Sequence, residues 1–201
     1  GDRWLHEIKF DGYRIVAHKN GDSVRLMSRN GKDWTERFNE VATAIASTVP
    51  VFSAVMDGEV VVMRPDGTTS FQALQNFARQ GEEASLHYQV FDLLHLDGWD
   101  LRGVALEKRK ELLRPLVPDD GGPVRYTDHI EGHGDVFYDR ACDYSLEGVI
   151  SKKRDSKYRG GRQRDWAKTK CLNHQEFVVV GYTDPGGRRQ GFGAVVLAVH
   201  A

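Results

Sequence analysis

The chain has 201 residues, of which 40% are hydrophobic and 28% charged, and a formal net charge of -1. That is enough to bury a full core and leaves length for one domain plus part of another. The whole is no polycation, and its longest apolar runs, such as 194–199, are far too short to span a bilayer, so no membrane partner is expected. Two cysteines, Cys142 and Cys171, build neither a disulfide framework nor a four-ligand zinc site. No charged-then-apolar leader is read at the start, and the expected location is cytoplasmic.

Residues 4–10 alternate enough for a strand. Residues 13–19 and 23–28 flank Asn20-Gly21, the signal of a tight hairpin. Thr35 is placed to cap a helix from Glu36, with Phe38, Val41, Ala42, Ile45 and Val49 on its apolar face and Pro50 at its end. Residues 51–63 read as a strand pair or one long bent strand, and Pro65-Asp66-Gly67 as a turn. Ser70 caps a second helix through about Gln80, with Phe71, Leu74 and Phe77 inward. Residues 86–94 are a strand that turns at Leu96-Asp97-Gly98. A helix over 106–116 is expected to bury Leu112, Leu113 and Leu116. A strand over 124–130 and a helix over 134–144 follow, then strands over 147–153 and 165–171. Strands that run into helices without regular alternation predict an α+β fold with mainly antiparallel sheets. Residues 176–182 and 191–200 read as a β-hairpin turning around Pro185-Gly186-Gly187, with Arg188 and Arg189 at its tip.

Charge is unevenly spread. Residues 150–170 hold nine Lys and Arg against Asp155 and Asp165, a surplus of seven, which leaves a surplus of eight negative charges elsewhere. A block of this kind is either a solvated loop or a nucleic-acid contact strip. Chemistry is concentrated in Lys9-Phe10-Asp11-Gly12-Tyr13-Arg14, a lysine at a strand end followed by an Asp-Gly turn and an arginine. A lysine amine attacks phosphorus only when neutral, and at an ordinary pKa of about 10.4 it is neutral about 0.04% of the time at pH 7. Nearby cations lower that pKa, and an arginine also grips phosphate. Read alone, the same six residues are an edge strand ending in a polar turn.

Four further motifs follow in order: Asp57-Gly58-Glu59, Val90-Phe91-Asp92-Leu93, Glu147-Gly148-Val149-Ile150, and Trp166-Ala167-Lys168-Thr169-Lys170. The ordered set resembles the covalent nucleotidyltransferases, which comprise ATP-dependent DNA ligases, RNA ligases and mRNA capping enzymes. Glu7-Ile8-Lys9-Phe10-Asp11-Gly12, Ser28-Arg29-Asn30-Gly31-Lys32-Asp33 and Ser156-Lys157-Tyr158-Arg159-Gly160-Gly161-Arg162 are most similar to the ligase domain of bacterial ligase D, the end-joining DNA ligases.

The resemblance implies a nucleotidyltransferase (adenylation) domain over 1–173, its antiparallel sheets flanked by helices. The opening of a β-barrel OB-fold, incomplete at 174–201, would follow; such a fold needs about five strands. Lys9 would attack the α-phosphate of ATP and form a lysyl-AMP as pyrophosphate leaves. AMP would then pass to a DNA 5′-phosphate and be displaced by the 3′-hydroxyl, in double-strand break repair by non-homologous end joining. Glu59 is implied at the ribose and in metal organisation, and Glu147 at a divalent cation, Mg²⁺ or Mn²⁺. Phe91 would stack on adenine, against the plain alternative of a core phenylalanine. Arg14 and Arg29 match arginines near phosphate and ribose, and the Glu7 backbone would lie against adenine. Lys168 and Lys170 alternate along a strand, so both face one side, where they would hold the α-phosphate. Lys152, Lys157, Arg159 and Arg162 are the expected DNA contacts. The implied partners are nicked or broken duplex DNA and other domains of a larger end-joining ligase, in a bacterial nucleoid. A GTP-dependent capping enzyme or RNA ligase shares the nucleophile, and a DNA-end-binding module without catalysis is the reading from another class.

Overall fold

The first strand, β1 (Trp4–Ile8), ends one residue before Lys9. The Asn20-Gly21 signal makes its hairpin: β2 (Tyr13–Asn20) pairs antiparallel with β3 (Ser23–Ser28), and Gly21 takes the turn at a φ of 55°. The helix α1 (Asn39–Thr48) buries Val41, Ala42 and Ile45 at helical spacing but begins later than expected. Thr35 does not cap it. Its hydroxyl accepts the Leu26 N–H at 2.9 Å and donates to Asp33 at 2.5 Å, which ties the turn back to β3. The next strand is continuous, β4 (Ser53–Met63). Ser70 does cap α2 (Phe71–Asn76), accepting the Ala73 N–H at 3.2 Å, and Leu74 is buried beneath it.

The long strand β5 (Ser85–Leu96) turns through Asp97 and Gly98 into the short return strand β6 (Trp99–Asp100). The helix α3 (Leu106–Leu113) continues as a 3₁₀ turn over Arg114–Leu116. Its burial departs from the expectation, because Leu112 is 41% exposed while Arg109 and Lys110 are 0% and 1% exposed. The two cations are buried because each meets a carboxylate there: Arg109 pairs with Asp92, and Lys110 with Glu7. The expected strand over 124–130 is two strands, β7 (Val124–Tyr126) and β8 (Ile130–Glu131), which join different sheets. After α4 (Gly134–Asp143) come β9 (Gly148–Lys153), β10 (Trp166–Lys170), β11 (Val178–Tyr182) and β12 (Val195–Ala198).

This computed structural model describes residues 2–64, 67–76, 85–117, 121–161, 164–171, 177–187 and 191–198. The sequence expectations at Pro65, Asp66, Phe77, Gln80, Arg162, Arg188 and Arg189 lie outside the described residues. Clustering of the chain gives two compact units, Gly1–Cys171 and Leu172–Ala201.

The first unit holds two sheets. One has the order β3-β2-β4-β5-β6, with β7 parallel to β5 as the exception to antiparallel pairing. The other has the order β10-β9-β1-β8 and is antiparallel throughout. The fold is therefore α+β with mainly antiparallel sheets. On the larger sheet, alternation puts Ile15, Ala17, Met56, Val60, Val62, Tyr88 and Val90 in one core with Val41, Ile45 and Leu113 from the helices. Its other face carries Arg14 and Phe91, which meet Trp166 of the smaller sheet. The two cysteines form a single bridge, Cys142–Cys171, from the end of α4 to the residue after β10. In the second unit β11 and β12 pair antiparallel with an irregularity between Val179 and Gly181.

Candidate active site

Close approach of backbone explains two of the motif glycines. A Cβ on Gly12 would lie 2.2 Å from the Val60 carbonyl, so the turn after Lys9 can press onto β4 only with glycine. Gly148 has a φ of 143°, and a Cβ there would meet the Thr169 carbonyl at 2.1 Å. Lys9 is then anchored by its own backbone N–H, which donates to the Gly148 carbonyl at 2.9 Å. The anchor brings the nucleophile candidate to the acid: the Lys9 ammonium donates to Glu147 Oε2, and Lys170 Nζ lies 3.0 Å from Glu147 Oε1. Burial works to raise the Glu147 carboxyl, but the hydrogen bonds and charges of Lys9 and Lys170 outweigh it and hold it low.

Glu59 sits among the same charges. Burial lifts its carboxyl to about 7, while Lys9, Arg14 and Lys168 pull the other way. Lys168 is lowered by burial and by the cations Lys9, Arg14 and Arg29 around it. Arg29 itself is exposed in the turn after β3. Lys9, Arg14, Arg29, Glu59, Lys168, Lys170 and Glu147 thus form one electrostatic group, although their strands lie far apart in sequence.

Beside this group lies an aromatic cluster. In the β4–β5 register Asp57 faces Asp92 and Gly58 faces Val90, so Phe91 is the extra residue of a bulge. A bulge turns a side chain away from regular alternation, and Phe91 meets Trp166 edge-on at 5.8 Å. The Arg14 guanidinium lies 5.6 Å from the Phe91 ring centre and 5.2 Å from that of Trp166. It is held there by buried Asp57, at 3.0 Å through Nε and 2.6 Å through Nη2. Tyr158 donates its hydroxyl to the same carboxylate at 2.8 Å.

Beneath these rings the structure corrects one expectation. Lys152, expected at DNA, is 0% exposed. Its Nζ lies 2.5 Å from Glu7 Oε2 and within 4.1 and 4.2 Å of the Phe91 and Trp166 ring centres. A charge so enclosed cannot reach a DNA phosphate in this conformation. Glu7, whose side chain was given no task, is buried between Lys152 and Lys110, the latter at 2.6 Å. Burial raises its carboxyl, and the two lysines more than reverse that. Strand alternation in β9 carries the signal, since Lys152 lies on the face of Ile150 and Trp166 and Lys153 on the other.

Lys157 and Arg159 are exposed in the loop after β9. With Arg3, Trp4 and Lys153 they line a cleft of about 360 Å³. Arg162 lies outside the described residues. Sequence reasoning gave no role to Asp57, Lys110 or Tyr158. Asp57 and Tyr158 belong to quoted motifs, whereas nothing local marks Lys110, and the partners of Lys110 and Tyr158 are 103 and 101 residues away.

Comparison with known proteins adds three findings. The family described as the ATP dependent DNA ligase domain matches residues 1–170. The multifunctional non-homologous end joining protein LigD of Pseudomonas aeruginosa is 41% identical over 98% of this chain and 24% of its own length. LigD of Mycobacterium tuberculosis is 34% identical over 98% of this chain and 25% of its own. The chain therefore spans about a quarter of the length of these relatives. Among solved structures, the ligase domain of M. tuberculosis LigD superposes with a TM-score of 0.74 at 33% identity, covering 96% of this chain and 62% of that one. A mycobacterial DNA ligase D complexed with ATP gives 0.73 at 33% identity, covering 96% and 61%.

Proposed function

The chain belongs to the family of ATP-dependent DNA ligase domains, and from that premise we propose that it carries the adenylation chemistry of an end-joining DNA ligase. Residues 1–173 act as the nucleotidyltransferase domain, and 174–201 as the opening of an OB-fold. Lys9 is the nucleophile: its amine forms a bond to the α-phosphorus of ATP as the bond to pyrophosphate breaks. The observation that carries this reading is the gathering of Lys9 and Arg14 with Glu59, Glu147 and Lys168 from four separate stretches of chain. Phe91, 6% exposed between Lys152 and Arg14, is the ring for adenine to stack on, Glu59 the group for the ribose, and Lys168, Lys170, Arg14 and Arg29 the groups for phosphate. Sealing follows, as AMP moves to the 5′-phosphate of nicked or broken duplex DNA and the 3′-hydroxyl displaces it.

A divalent cation fits the donor set. Among the described residues no group of three or more His, Cys, Asp or Glu side chains gathers. An ion here would rest on Glu147 and Glu59 together with substrate phosphate oxygens, as Mg²⁺ and Mn²⁺ commonly do. Bound there, it would neutralise charge on the phosphates. Lys157 and Arg159, in the cleft with Arg3 and Lys153, supply contacts to the DNA backbone.

Incubation with radiolabelled ATP and Mg²⁺ tests the nucleophile. The parent chain should take up covalent label, GTP should not compete, and Lys9→Ala should take up none while unfolding at nearly the same temperature. Label retained by Lys9→Ala would remove Lys9 from the role.

A further inference from the structure

Tyr158 stands between Lys157 and Arg159 in sequence, yet its side chain takes the opposite course from theirs. The two cations line the outer cleft, whereas the phenol enters the nucleotide pocket. Its hydroxyl donates to Asp57 Oδ2 at 2.8 Å, the oxygen that also receives Arg14 Nη2 at 2.6 Å. Its ring packs edge-on to Trp166 with centres 6.4 Å apart. Its backbone N–H donates to the Arg102 carbonyl at 2.9 Å, which fixes the loop at this residue.

Asp57 is wholly buried and its carboxylate receives three donors: two from Arg14 and one from Tyr158. An aspartate carboxylate turns readily about its last torsion. Two donors from one planar guanidinium set its distance from Arg14, and the phenol adds a fixed point from another element. We propose that Tyr158 is a positioning residue, which sets the direction of Arg14 through Asp57 and through its own hydroxyl oxygen, which accepts Arg14 Nη2 at 3.5 Å, and so ties the basic loop to the pocket. Burial and the neighbouring Asp57 both raise the phenol's pKa, so the hydroxyl stays a donor. This inference rests on the pocket being the adenylation site proposed above.

A double-mutant cycle of Tyr158→Phe and Arg14→Lys tests it, since lysine keeps the charge but loses the paired donors. Two readouts are taken: the rate of AMP attachment from ATP and Mg²⁺, and the midpoint of thermal unfolding. Loss of one hydrogen bond to a charged group should slow attachment about tenfold in the parent. In the Arg14→Lys background the same change should have less than about a twofold effect, as expected when two residues act as a unit. Equal slowing in both backgrounds, or no slowing in the parent, overturns the proposal. If the parent forms no lysyl-AMP, the proposed function fails, and the cycle is decided on the thermal midpoint alone. A shift in the parent that vanishes beside Arg14→Lys then supports the link, and equal shifts in both overturn it.

Discussion

Burial raises the Glu59 carboxyl to about 7 against the pull of Lys9, Arg14 and Lys168, and a group that titrates there couples stability to pH. Its folded value lies above the ordinary glutamate value of 4.5, so the folded chain holds this proton more tightly than the unfolded one. The contribution to stability is fully present below about 4.5 and is lost as pH rises through about 7. Glu59→Gln removes the charge and the loss together. At pH 8 the variant should be more stable than the parent by on the order of 2 kcal/mol, with the difference closing by pH 5. Thermal unfolding at the two pH values measures it. An equal shift at both would mean that the carboxyl does not titrate between them. Lys152 and Lys157 make a second contrast at this scale. Lys152→Ala removes one of the two cations on buried Glu7 and leaves Lys110 on the other oxygen, so it should cost about 1–3 kcal/mol. A loss below 1 kcal/mol in denaturant unfolding would contradict the burial.

Among the elements, the loop after β9 and the end of β10 carry separate predictions. Lys157→Ala and Arg159→Ala should each lower the log–log salt slope of duplex binding by about 0.9 if each contacts one phosphate. A slope unchanged by both would make the loop a solvated strip. The Cys142–Cys171 bridge spans 29 residues and closes the stretch that contains Glu147. A cross-link over that span should stabilise the chain by about 3 kcal/mol. Reduction with a thiol should lower the thermal midpoint of the parent and leave Cys142→Ser unaffected, and identical midpoints in all four samples would rule the bridge out. These elements also show where sequence reasoning stops. Asn20-Gly21 and the apolar face of α1 are local patterns, and both are legible because their causes lie within a few residues. Arg109, Lys110 and Lys152 read as solvent-facing because charge is normally exposed. Their carboxylates, Asp92 and Glu7, come from other strands. The bulge that frees Phe91 depends on pairing between β4 and β5, and no single strand encodes it. The ordered motifs made Lys9 and Glu147 legible as a site, but not as a contact.

At the scale of the whole chain, the two units differ in how they can sustain a fold. The first encloses its own core between sheet and helices. In the second, Val178, Val179 and Val180 are 62%, 65% and 59% exposed, and among the described residues β11 pairs with β12 alone. A two-stranded ribbon by itself is marginal in water. The folding energy should therefore reside in the first unit. A fragment of residues 1–171 should unfold cooperatively, with a midpoint within about 5 °C of the 201-residue chain, because losing 1 kcal/mol shifts a domain of this size by only about 2–4 °C. A peptide of residues 172–201 should show no cooperative transition by circular dichroism. The fragment should also be the more soluble of the two longer chains, since it lacks the exposed valines and Leu197. A fall of more than about 10 °C in the fragment would place several kcal/mol in the second unit, and the ribbon would then count as part of the stable body.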